Sequence, residues 1–523
     1  MDKKNILLIV TDEERIPMHF PAGLEFPARA LLRERGVSFQ RYHVNTAPCT
    51  PSRSVIFTGL HTPRNRMVDN TSIGYIKDLD PDIPTLGDML ASAGYYSVYK
   101  GKWHLASITP SEDPRHTTEH DMEPYGFRDY QHYGDLQSSA REGYCYDSLI
   151  VEDALHWLHH WIDLPTDKSS QPFFLTVALV NPHDIMIVDV DGTKKVQYQP
   201  EGGGFMPIMT PPEHALYQQD HSPVLPRSWS ADFNREHVEA KPAAHHEFDL
   251  LFRYNFGDIP RDEALWKRYV NYYINCMLDV DRHIARLLQH LDDTGLIDNT
   301  IVVFTADHGE MGGAHGLRTK GPWIYREGLN VPLVICHPDG PSGVTTEALG
   351  CALDLAPTLM GLAGMSAEQQ QAAYPDLRGY DLSGLALAPD STGPRSEILF
   401  TYTSLSTLDG AFVSRESESF DPSKRGLLLG IHDGRYKYAR YFSPLHMLRP
   451  SSHEELLEHF DLEIYDTQDD PDELHNLASD AASQELVQTM NAKLDALVDR
   501  ELGGTCDLVE LPANPEMVRG LLT

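Results

Sequence analysis

The chain has 523 residues, of which 41% are hydrophobic and 23% are charged, and these proportions are ordinary for a globular enzyme. This length is too great for one small core and predicts a large α/β domain followed by a smaller one. The 77 Asp and Glu residues outnumber the 43 Lys and Arg residues, and a formal net charge of −34 would repel a phosphate backbone, which argues against nucleic acid as a partner.

Membrane insertion, secretion and disulfide bonding are not expected either. No run approaches the ~20 apolar residues of a membrane span, so we expect no membrane partner. Residues 5–11 form a short apolar run, but no small-residue cleavage site follows, and Asp12-Glu13-Glu14-Arg15 ends the run at once. We interpret the run as a buried first strand and expect a cytoplasmic protein. The six cysteines, at positions 49, 145, 276, 336, 351 and 506, have no paired spacing, which argues against a disulfide framework or a CxxC zinc site.

Four apolar segments of strand length end abruptly in polar residues. They are residues 5–11 before Asp12-Glu13, residues 95–99 before Lys100-Gly101-Lys102-Trp103-His104, residues 173–180 before Asn181-Pro182-His183-Asp184, and residues 300–305 before Asp307-His308-Gly309-Glu310. Apolar strands separated by helical segments indicate a mostly parallel sheet that is covered on both faces. Since ligands bind outside the carboxyl ends of such strands, we expect these polar groups at one edge of the sheet.

A cysteine opens the helix predicted after residue 48. In Cys49-Thr50-Pro51-Ser52-Arg53, the proline lies near the first helical position, where a missing N–H costs nothing. Backbone N–H groups and the helix dipole favour an anion at such a position. Asp307 and His308, together with Asp12, would supply two carboxylates and an imidazole for one divalent cation.

The clearest helix is predicted over residues 262–294, which carry apolar residues at three-to-four spacing before Gly295. Its Cys276 is assigned to the core, whereas Asp279, Asp281 and His283 are assigned to a solvated face. Residues 185–261 show little periodicity and are interpreted as a long insertion, either a lid or an oligomer arm, in which His245-His246 is a solvated loop pair.

The pattern changes at about Arg395. Strands are predicted over residues 398–402, 427–432 and 436–441, followed by an acidic turn and a helix over residues 481–502. We therefore expect a catalytic α/β domain over residues 1–394, containing the insertion at 185–261, and a smaller domain of antiparallel sheet and helix over residues 395–523.

Several motifs together resemble those of the type I sulfatases, whose Cys-x-Pro-x-Arg cysteine is oxidised to formylglycine. Besides residues 49–53, they are the first strand with its acidic end, Gly101-Lys102-Trp103-His104-Leu105, Asn181-Pro182-His183, Asp307-His308-Gly309-Glu310, Thr319-Lys320-Gly321-Pro322, Asp433-Gly434-Arg435-Tyr436-Lys437-Tyr438, Glu463-Ile464-Tyr465-Asp466 and Glu473-Leu474-His475-Asn476-Leu477. The resemblance implies the fold of the alkaline phosphatase superfamily, a mostly parallel sheet sandwiched by helices.

The resemblance also implies a metal site. Asp12, Asp307, His308 and an oxygen of the modified Cys49 would hold one divalent cation. Glu13 stands where many members have a second aspartate, and its longer carboxylate would either reach the ion or point away. Many members have asparagine where this chain has His308, and an imidazole ligand admits Mn²⁺ or Zn²⁺ beside Ca²⁺. The histidine is also the pattern of choline sulfatases and phosphonate monoester hydrolases.

The catalytic roles follow from the same resemblance. The hydrated aldehyde at position 49 would attack sulfur with one hydroxyl, and loss of the other hydroxyl's proton to His104 would then expel sulfate. Arg53 and Lys102 would position the nucleophile. Lys320 and His183 would face the leaving oxygen, with His183 as the general acid, its pKa poised from ~6.5 by its neighbours.

The implied function is arylsulfatase-like hydrolysis of organic sulfate monoesters. Its partners would be a small anionic sulfate ester, a formylglycine-generating maturation enzyme and, through the insertion, a second copy of the chain. One alternative is a phosphonate monoester or phosphodiester hydrolase, although that branch lacks the Lys-x-His pair found here at positions 102 and 104. The other is a metal-binding protein with an unmodified Cys49. Asn70 resembles a substrate-contacting asparagine of the choline sulfatase and phosphonate hydrolase branches. Asparagine before threonine is also typical of a turn, so a purely structural role for Asn70 is the alternative.

Overall fold

The computed structural model describes most of the chain. The described residues are 3–108, 118–131, 136, 139–164, 171–192, 208–232, 241–446, 449–504 and 508–519. Cys506 and the Gly202-Gly203-Gly204 run of the predicted insertion lie outside them. Among the described residues, no helix is both long enough and apolar enough to cross a membrane.

A seven-stranded sheet forms the centre of the molecule, in the order β3-β4-β1-β5-β6-β2-β7. Its strands are β1 (Asn5–Asp12), β2 (Val37–His43), β3 (Tyr96–Gly101), β4 (Phe173–Pro182), β5 (Thr300–Ala306), β6 (Leu333–Cys336) and β7 (Val344–Cys351). The first strand runs parallel to both its neighbours, β4 and β5, and only β6 is antiparallel to the strands beside it. The predicted mostly parallel sheet is therefore confirmed.

The alternation of side chains along β1 explains why it lies at the centre. Ile6, Leu8 and Val10 contribute to the core on one face of the sheet, while Leu7 and Ile9 contribute to the core on the other. Because both faces are covered, the strand is apolar throughout and shows no polar alternation.

Helices cover both faces and fill the connections. They are α1 (Pro27–Arg35), α2 (Cys49–Thr58), α3 (Thr62–Asn65), α4 (Leu86–Ser92), α5 (Glu142–Ile162), α6 (Arg227–Asp232), α7 (Ala243–Phe256), α8 (Glu263–Thr294), α9 (Arg326–Leu329), α10 (Leu355–Leu362), α11 (Ala367–Ala373), α12 (Gly410–Val413), α13 (His453–His459) and α14 (Gln484–Leu502).

Helix α8 matches the prediction closely in its bounds but not in its polar face. Asp262 caps its first turn, Gly295 ends it in a left-handed conformation, and Cys276 is buried as predicted. The prediction of a solvated face for Asp279, Asp281 and His283 is wrong, because all three are buried.

Asp281 shows the physical reason for that error. Its carboxylate accepts hydrogen bonds from the backbone N–H groups of Ala28 and Arg29 at the start of helix α1, and from the Arg29 guanidinium at 2.8 Å. Arg29 also donates to Glu14 just beyond the end of β1. Periodicity identifies the faces of a helix, but it does not show that a polar face is covered by another element.

The interpretation of residues 185–261 as an aperiodic insertion is wrong for the described residues of helix α7. Phe248 and Phe252 of this helix join the main core, and His245 is buried. The imidazole of His245 lies 3.2 Å from the Tyr441 hydroxyl, so the prediction of a solvated loop pair fails for His245 while His246 is exposed.

A second sheet lies in the C-terminal part. It is antiparallel, in the order β11-β10-β9-β8, and consists of β8 (Ile398–Tyr402), β9 (Leu427–His432), β10 (Tyr436–Phe442) and β11 (Asp461–Asp466). Helix α14 packs against it through Met490, Leu494 and Leu497. The structure confirms the antiparallel sheet and the final helix, and adds β11 where only an acidic turn was expected.

Candidate active site

The polar groups predicted at one edge of the sheet are brought together by the pairing of β1 with β5. Thr11 pairs with Ala306, so the residues that follow, Asp12 and Asp307, lie side by side. The backbone N–H of Asp307 donates to the Thr11 carbonyl, and that of Glu13 donates to the Asp307 carboxylate. Two fully buried carboxylates are thus fixed against each other by the backbone of neighbouring strands.

Cys49 completes a four-residue cluster with these carboxylates and with His308. Ligand atoms of Asp12, Cys49, Asp307 and His308 all lie within 4.8 Å of one another, and all four residues are buried. The Cys49 Sγ is 3.1 Å from His308 Nε2 and 3.7 Å from Asp12 Oδ1. His308 Nε2 lies 3.6 Å from Asp12 Oδ1 and 3.7 Å from Asp307 Oδ1.

The position of Cys49 is set by helix α2, which begins at this residue. Ser52 donates its hydroxyl to the Asp307 carbonyl, and Thr50 donates its hydroxyl to the His104 carbonyl at 2.8 Å, so the helix start is fastened to two strand ends. Burial and the nearby Asp12 carboxylate raise the pKa of the Cys49 thiol to about 12. An unmodified thiol would therefore be protonated at this site in the absence of a metal ion.

Two cations flank the carboxylates. Lys102 Nζ lies 2.7 Å from Asp12 Oδ2, and Arg53 Nη1 lies 3.2 Å from Asp307 Oδ2. Burial alone would raise the pKa of Asp12, but the positive charges of Lys102 and Lys320 hold it well below its usual range. Asp12 is therefore ionised and available as a ligand.

Glu13 turns away from the four-residue cluster and binds Lys320. One carboxylate oxygen accepts the Thr319 hydroxyl at 2.8 Å, and the other accepts Lys320 Nζ at 2.7 Å. The residue has a φ of 70°, which aims its side chain differently from that of Asp12. Its carboxylate nevertheless lies within 4.8 Å of ligand atoms of Asp12 and His183, so its role as a metal ligand stays a prediction.

His104 and His183 are both buried at strand ends. Neither imidazole has a hydrogen-bond partner for either ring nitrogen among the described residues. His183 Nε2 lies 3.9 Å from the Glu13 carboxylate. Burial and the positive charges of Lys102 and Lys320 hold the pKa of His183 well below its usual range, and burial and Lys102 do the same for His104. Both rings are therefore neutral near pH 7 until an anion lies beside them, so the shift from ~6.5 that was expected from the neighbours of His183 is downward.

Asn70 lies beside the start of helix α2. Its side-chain oxygen accepts the backbone N–H of Thr50 at 3.1 Å, next to Cys49. It also lines, with Lys320, the cavity that adjoins the site. This position is compatible with both interpretations of Asn70, as a substrate contact and as a turn residue.

Sequence reasoning missed three residues that support the site. Thr319 orients Glu13, Met186 places its sulfur 3.4 Å from Lys320 Nζ, and Glu142 is a buried carboxyl at the start of helix α5. Burial raises the pKa of Glu142 to about 8, against the opposing influence of Lys102. The contact of Thr319 with the site could have been expected, because Thr319 directly precedes the predicted site residue Lys320. Met186 and Glu142 carry no local signal, because long-range packing brings them to the site.

The geometry agrees with what comparison with known proteins shows. Residues 4–365 match the sulfatase family. An N-acetylglucosamine-6-O-sulfatase of Bacteroides thetaiotaomicron is 26% identical over 405 residues, which cover 69% of this chain and 68% of that protein. A choline-sulfatase of Rhizobium meliloti is 25% identical over 500 residues, which cover 91% of this chain and 82% of that protein.

A solved structure shows the same fold. The phosphonate monoester hydrolase SpPMH from Silicibacter pomeroyi superimposes with a TM-score of 0.65 at 19% identity, over 98% of each chain. This likeness confirms the predicted alkaline-phosphatase-like fold. Because the family match spans most of the chain and includes the strand ends and the start of helix α2, the chain belongs to the sulfatase family and is a sulfuric ester hydrolase.

Proposed function

We propose that the protein hydrolyses organic sulfate monoesters with a formylglycine made from Cys49 and one divalent metal ion. The observation that carries this proposal is the buried cluster of Asp12, Cys49, Asp307 and His308 at the start of an anion-favouring helix. A formylglycine-generating maturation enzyme is the partner that the modification requires.

The donor set fits a divalent cation. Two carboxylates and one imidazole converge beside position 49, and their ligand atoms and the Cys49 Sγ all lie within 4.8 Å of one another. We assign the metal to Asp12, Asp307, His308 and residue 49, with Glu13 as a further candidate. Oxygen donors suit Ca²⁺ and Mn²⁺, and the imidazole admits Zn²⁺. When bound, the ion would act as a Lewis acid that polarises the nucleophile and a sulfuryl oxygen.

The fixed charges explain how an acidic chain attracts an anion. Near the cluster, the carboxylates of Asp12, Asp307 and Glu13 oppose the cations of Lys102, Lys320 and Arg53. A divalent ion would add positive charge to this balance, and a cleft focuses its field on the incoming sulfate. Lys102 and Arg53 hold the carboxylates and stabilise charge that develops at sulfur.

His183 and Lys320 would act on the leaving oxygen. Lys320 keeps its proton, because the Glu13 and Asp12 carboxylates raise its pKa against the effect of burial, so we assign it to charge stabilisation. The His183 imidazole has no hydrogen-bond partner in the described part of the chain, and an anionic ester beside it would favour its protonated form, so we assign it as the general acid. The His104 carbonyl accepts the Thr50 hydroxyl at the start of helix α2. We assign the His104 imidazole as the acceptor of a proton from residue 49.

Hydrolysis of phosphonate monoesters or phosphodiesters is a second candidate function. The fold shared with a phosphonate monoester hydrolase and the position of Asn70 favour it. The Lys102 and His104 pair at the end of β3 favours sulfate. The third alternative is an unmodified Cys49 that binds metal as a thiolate, in which case the ion must displace the proton of the buried thiol.

One preparation can distinguish all three alternatives. The tryptic peptide of residues 42–53 contains position 49, and conversion replaces its sulfur and two hydrogens by one oxygen. We expect the converted mass and faster turnover of 4-nitrophenyl sulfate than of the phosphonate monoester 4-nitrophenyl phenylphosphonate. An unconverted peptide with metal bound would support the metal-binding alternative, and faster phosphonate cleavage would support the second candidate.

A further inference from the structure

Glu310 is a fully buried carboxylate beside the site that the proposed reaction does not use. It lies two residues after the metal-ligand candidate His308. Its Oε1 accepts hydrogen bonds from the Tyr269 hydroxyl at 3.1 Å, from the backbone N–H of Gly312 at 2.8 Å and from that of Thr319 at 2.9 Å. Its Oε2 accepts no hydrogen bond from a described residue. Because burying a carboxylate is costly, the contacts of Oε1 have to offset that cost.

Glu310 joins the two ends of the loop formed by residues 311–319. The backbone N–H of Met311 donates to the Thr319 carbonyl at 3.1 Å, so the loop is closed at its base. Glu310 Oε1 adds a second connection, because Gly312 lies on the outgoing side of the loop and Thr319 on the returning side. The carboxylate therefore fixes the point at which the chain returns to the site.

Thr319 has a backbone conformation that needs such support. Its φ is 61°, in the left-handed region that a β-branched residue rarely adopts. Both of its donors are engaged, the backbone N–H by Glu310 and the hydroxyl by Glu13 at 2.8 Å. A residue persists in such a conformation only where the surrounding contacts determine it. The contact with Glu310 therefore holds Thr319 in the conformation that directs its hydroxyl at Glu13.

Lys320 follows Thr319 directly, so its backbone position depends on the same contact. Its Nζ lies 2.7 Å from a Glu13 oxygen and 3.4 Å from the Met186 sulfur. Glu13 is itself oriented by the Thr319 hydroxyl. Both the backbone and the ammonium group of Lys320 therefore depend on the placement of Thr319.

Helix α8 and the end of β1 hold Glu310 in turn. Tyr269 donates its hydroxyl to the Glu310 carboxylate, and Tyr273, one turn later, donates its hydroxyl to the Glu13 carbonyl at 2.9 Å. Arg15 Nη1 donates to the Glu310 carbonyl at 3.0 Å. All these side chains are buried. Glu310 is thus fixed relative to the strand that carries the site.

We propose that Glu310 is a positioning residue of the reaction: through Thr319 it holds the Lys320 ammonium group where that group stabilises the leaving oxygen. The proposal rests on the charge-stabilising role proposed above for Lys320. The essential property of Glu310 is the reach of its acceptor oxygen and not its charge, because Oε1 serves two backbone N–H groups. A displacement of about 1 Å at a reacting group can cost about 100-fold in rate.

Two substitutions separate reach from charge. Glu310→Gln keeps the length of the side chain and an acceptor oxygen but loses the charge, whereas Glu310→Asp keeps the charge and shortens the reach by one methylene group. Metal content, Cys49 conversion and thermal unfolding are measured first. We expect Glu310→Gln to retain most of the kcat for phenyl sulfate and Glu310→Asp to lower it about 100-fold. An equal or larger loss in Glu310→Gln would overturn the proposal.

A double-mutant cycle tests whether Glu310 acts through Lys320. Lys320→Ala should lower kcat for phenyl sulfate more than for 4-nitrophenyl sulfate, because the poorer leaving group needs more charge stabilisation. Glu310→Asp added to Lys320→Ala should cause no more than about a 3-fold further loss, since the positioned group is already absent. Any larger further loss would show that Glu310 acts on other groups and would refute the proposal.

Glu463→Asp is the matched control. Glu463 is also fully buried, and its carboxylate accepts the hydroxyls of Tyr325, Tyr441 and Tyr465 outside the site. We expect this variant to unfold at a lower temperature but to keep the ratio of kcat for phenyl sulfate to kcat for 4-nitrophenyl sulfate. Glu310→Asp should lower that ratio. The same change of the ratio in both variants would mean that the loss of any buried contact causes it, against the proposal.

Binding of inorganic sulfate, measured by calorimetry in the Cys49→Ala background, separates the positioning from the chemistry. An ammonium group that is held in place binds an anion better than a mobile one, so Glu310→Asp should weaken sulfate binding about 10-fold, whereas Glu310→Gln should not. If this holds while the unaltered enzyme hydrolyses no sulfate ester, the proposed reaction is wrong and the positioning role stands. Equal affinity of the two variants for sulfate would refute the positioning role.

Discussion

The two sides of the substrate site differ in composition and in origin. On the inner side, charged residues at strand ends and at the start of helix α2 are fully buried and fixed by short ion pairs, such as Lys102 with Asp12. On the outer side, the cavity that adjoins the site has a mainly apolar lining from helix α7 and from segments far apart in the chain, and some of the lining residues, such as Ile73, are partly exposed. We expect the inner side to determine the reaction and the outer side to determine which alcohol is accepted.

This difference predicts two kinds of mutational effect. Changes on the inner side should affect every ester, because they alter the attack on sulfur or the metal. Changes on the outer side should affect one ester more than another, because they alter only contacts with the alcohol. The variants below test this contrast, from the largest expected effect to the smallest.

The largest effect is expected at Cys49. Cys49→Ala should lose nearly all turnover of every sulfate ester, because the nucleophile is absent. Cys49→Ser should be almost as inactive, since a serine ester cannot collapse to an aldehyde and must await attack by water. The measurements are steady-state turnover and circular dichroism of both variants. Repeated turnover by Cys49→Ser at near the unaltered rate would contradict the elimination step.

Asp307→Ala should remove both metal and activity. The variant keeps Asp12 and His308, but it loses one carboxylate ligand and the acceptor that orients Arg53. Elemental analysis of the purified protein measures the metal, and 4-nitrophenyl sulfate measures the activity. Asp472→Ala is a matched control, because this carboxylate binds Arg326 away from the cluster. Full metal occupancy in Asp307→Ala would exclude the proposed ligand set.

His183→Ala should separate esters by their leaving groups. An alkoxide needs a proton in the transition state, whereas a nitrophenoxide needs little help, so turnover of an alkyl sulfate should fall by about 10² to 10⁴ and that of 4-nitrophenyl sulfate should change little. The ratio of the two rates is the measurement. An equal loss for both esters would mean that His183 orients the sulfate, and the acid would then be sought at Lys320.

The inner side could be predicted from the sequence because its residues are next to local signals. Asp12 ends an apolar strand, and Lys102, His183 and Asp307 each follow one. The parallel arrangement of those strands brings these residues to one edge. Cys49 is marked by its motif and by the helix that it opens. The chemical roles, however, came from the resemblance to sulfatases and not from spacing.

The remaining contacts depend on which elements meet, and spacing does not show this. The pairing of Glu13 with Lys320 joins residues 307 positions apart, and the burial of Asp281 depends on helix α1. Helix α7 was missed although its three phenylalanines, Phe248, Phe252 and Phe256, repeat at helical spacing. The prolines and histidines around them obscured a signal that was present.

The smallest effect is expected at Phe256, which ends helix α7 and lines the cavity that adjoins the site. Phe256→Ala removes the partner of Phe252 at a centroid distance of 4.5 Å but leaves the inner rings in place. Because an aromatic pair contributes about 0.5 to 1.5 kcal/mol, the preference for 2-naphthyl over phenyl sulfate should fall by only about 2- to 10-fold. The ratio of their kcat/KM values measures this, and turnover of phenyl sulfate serves as the internal reference. A proportional loss for both esters would place Phe256 with the inner side, where an altered residue affects every substrate.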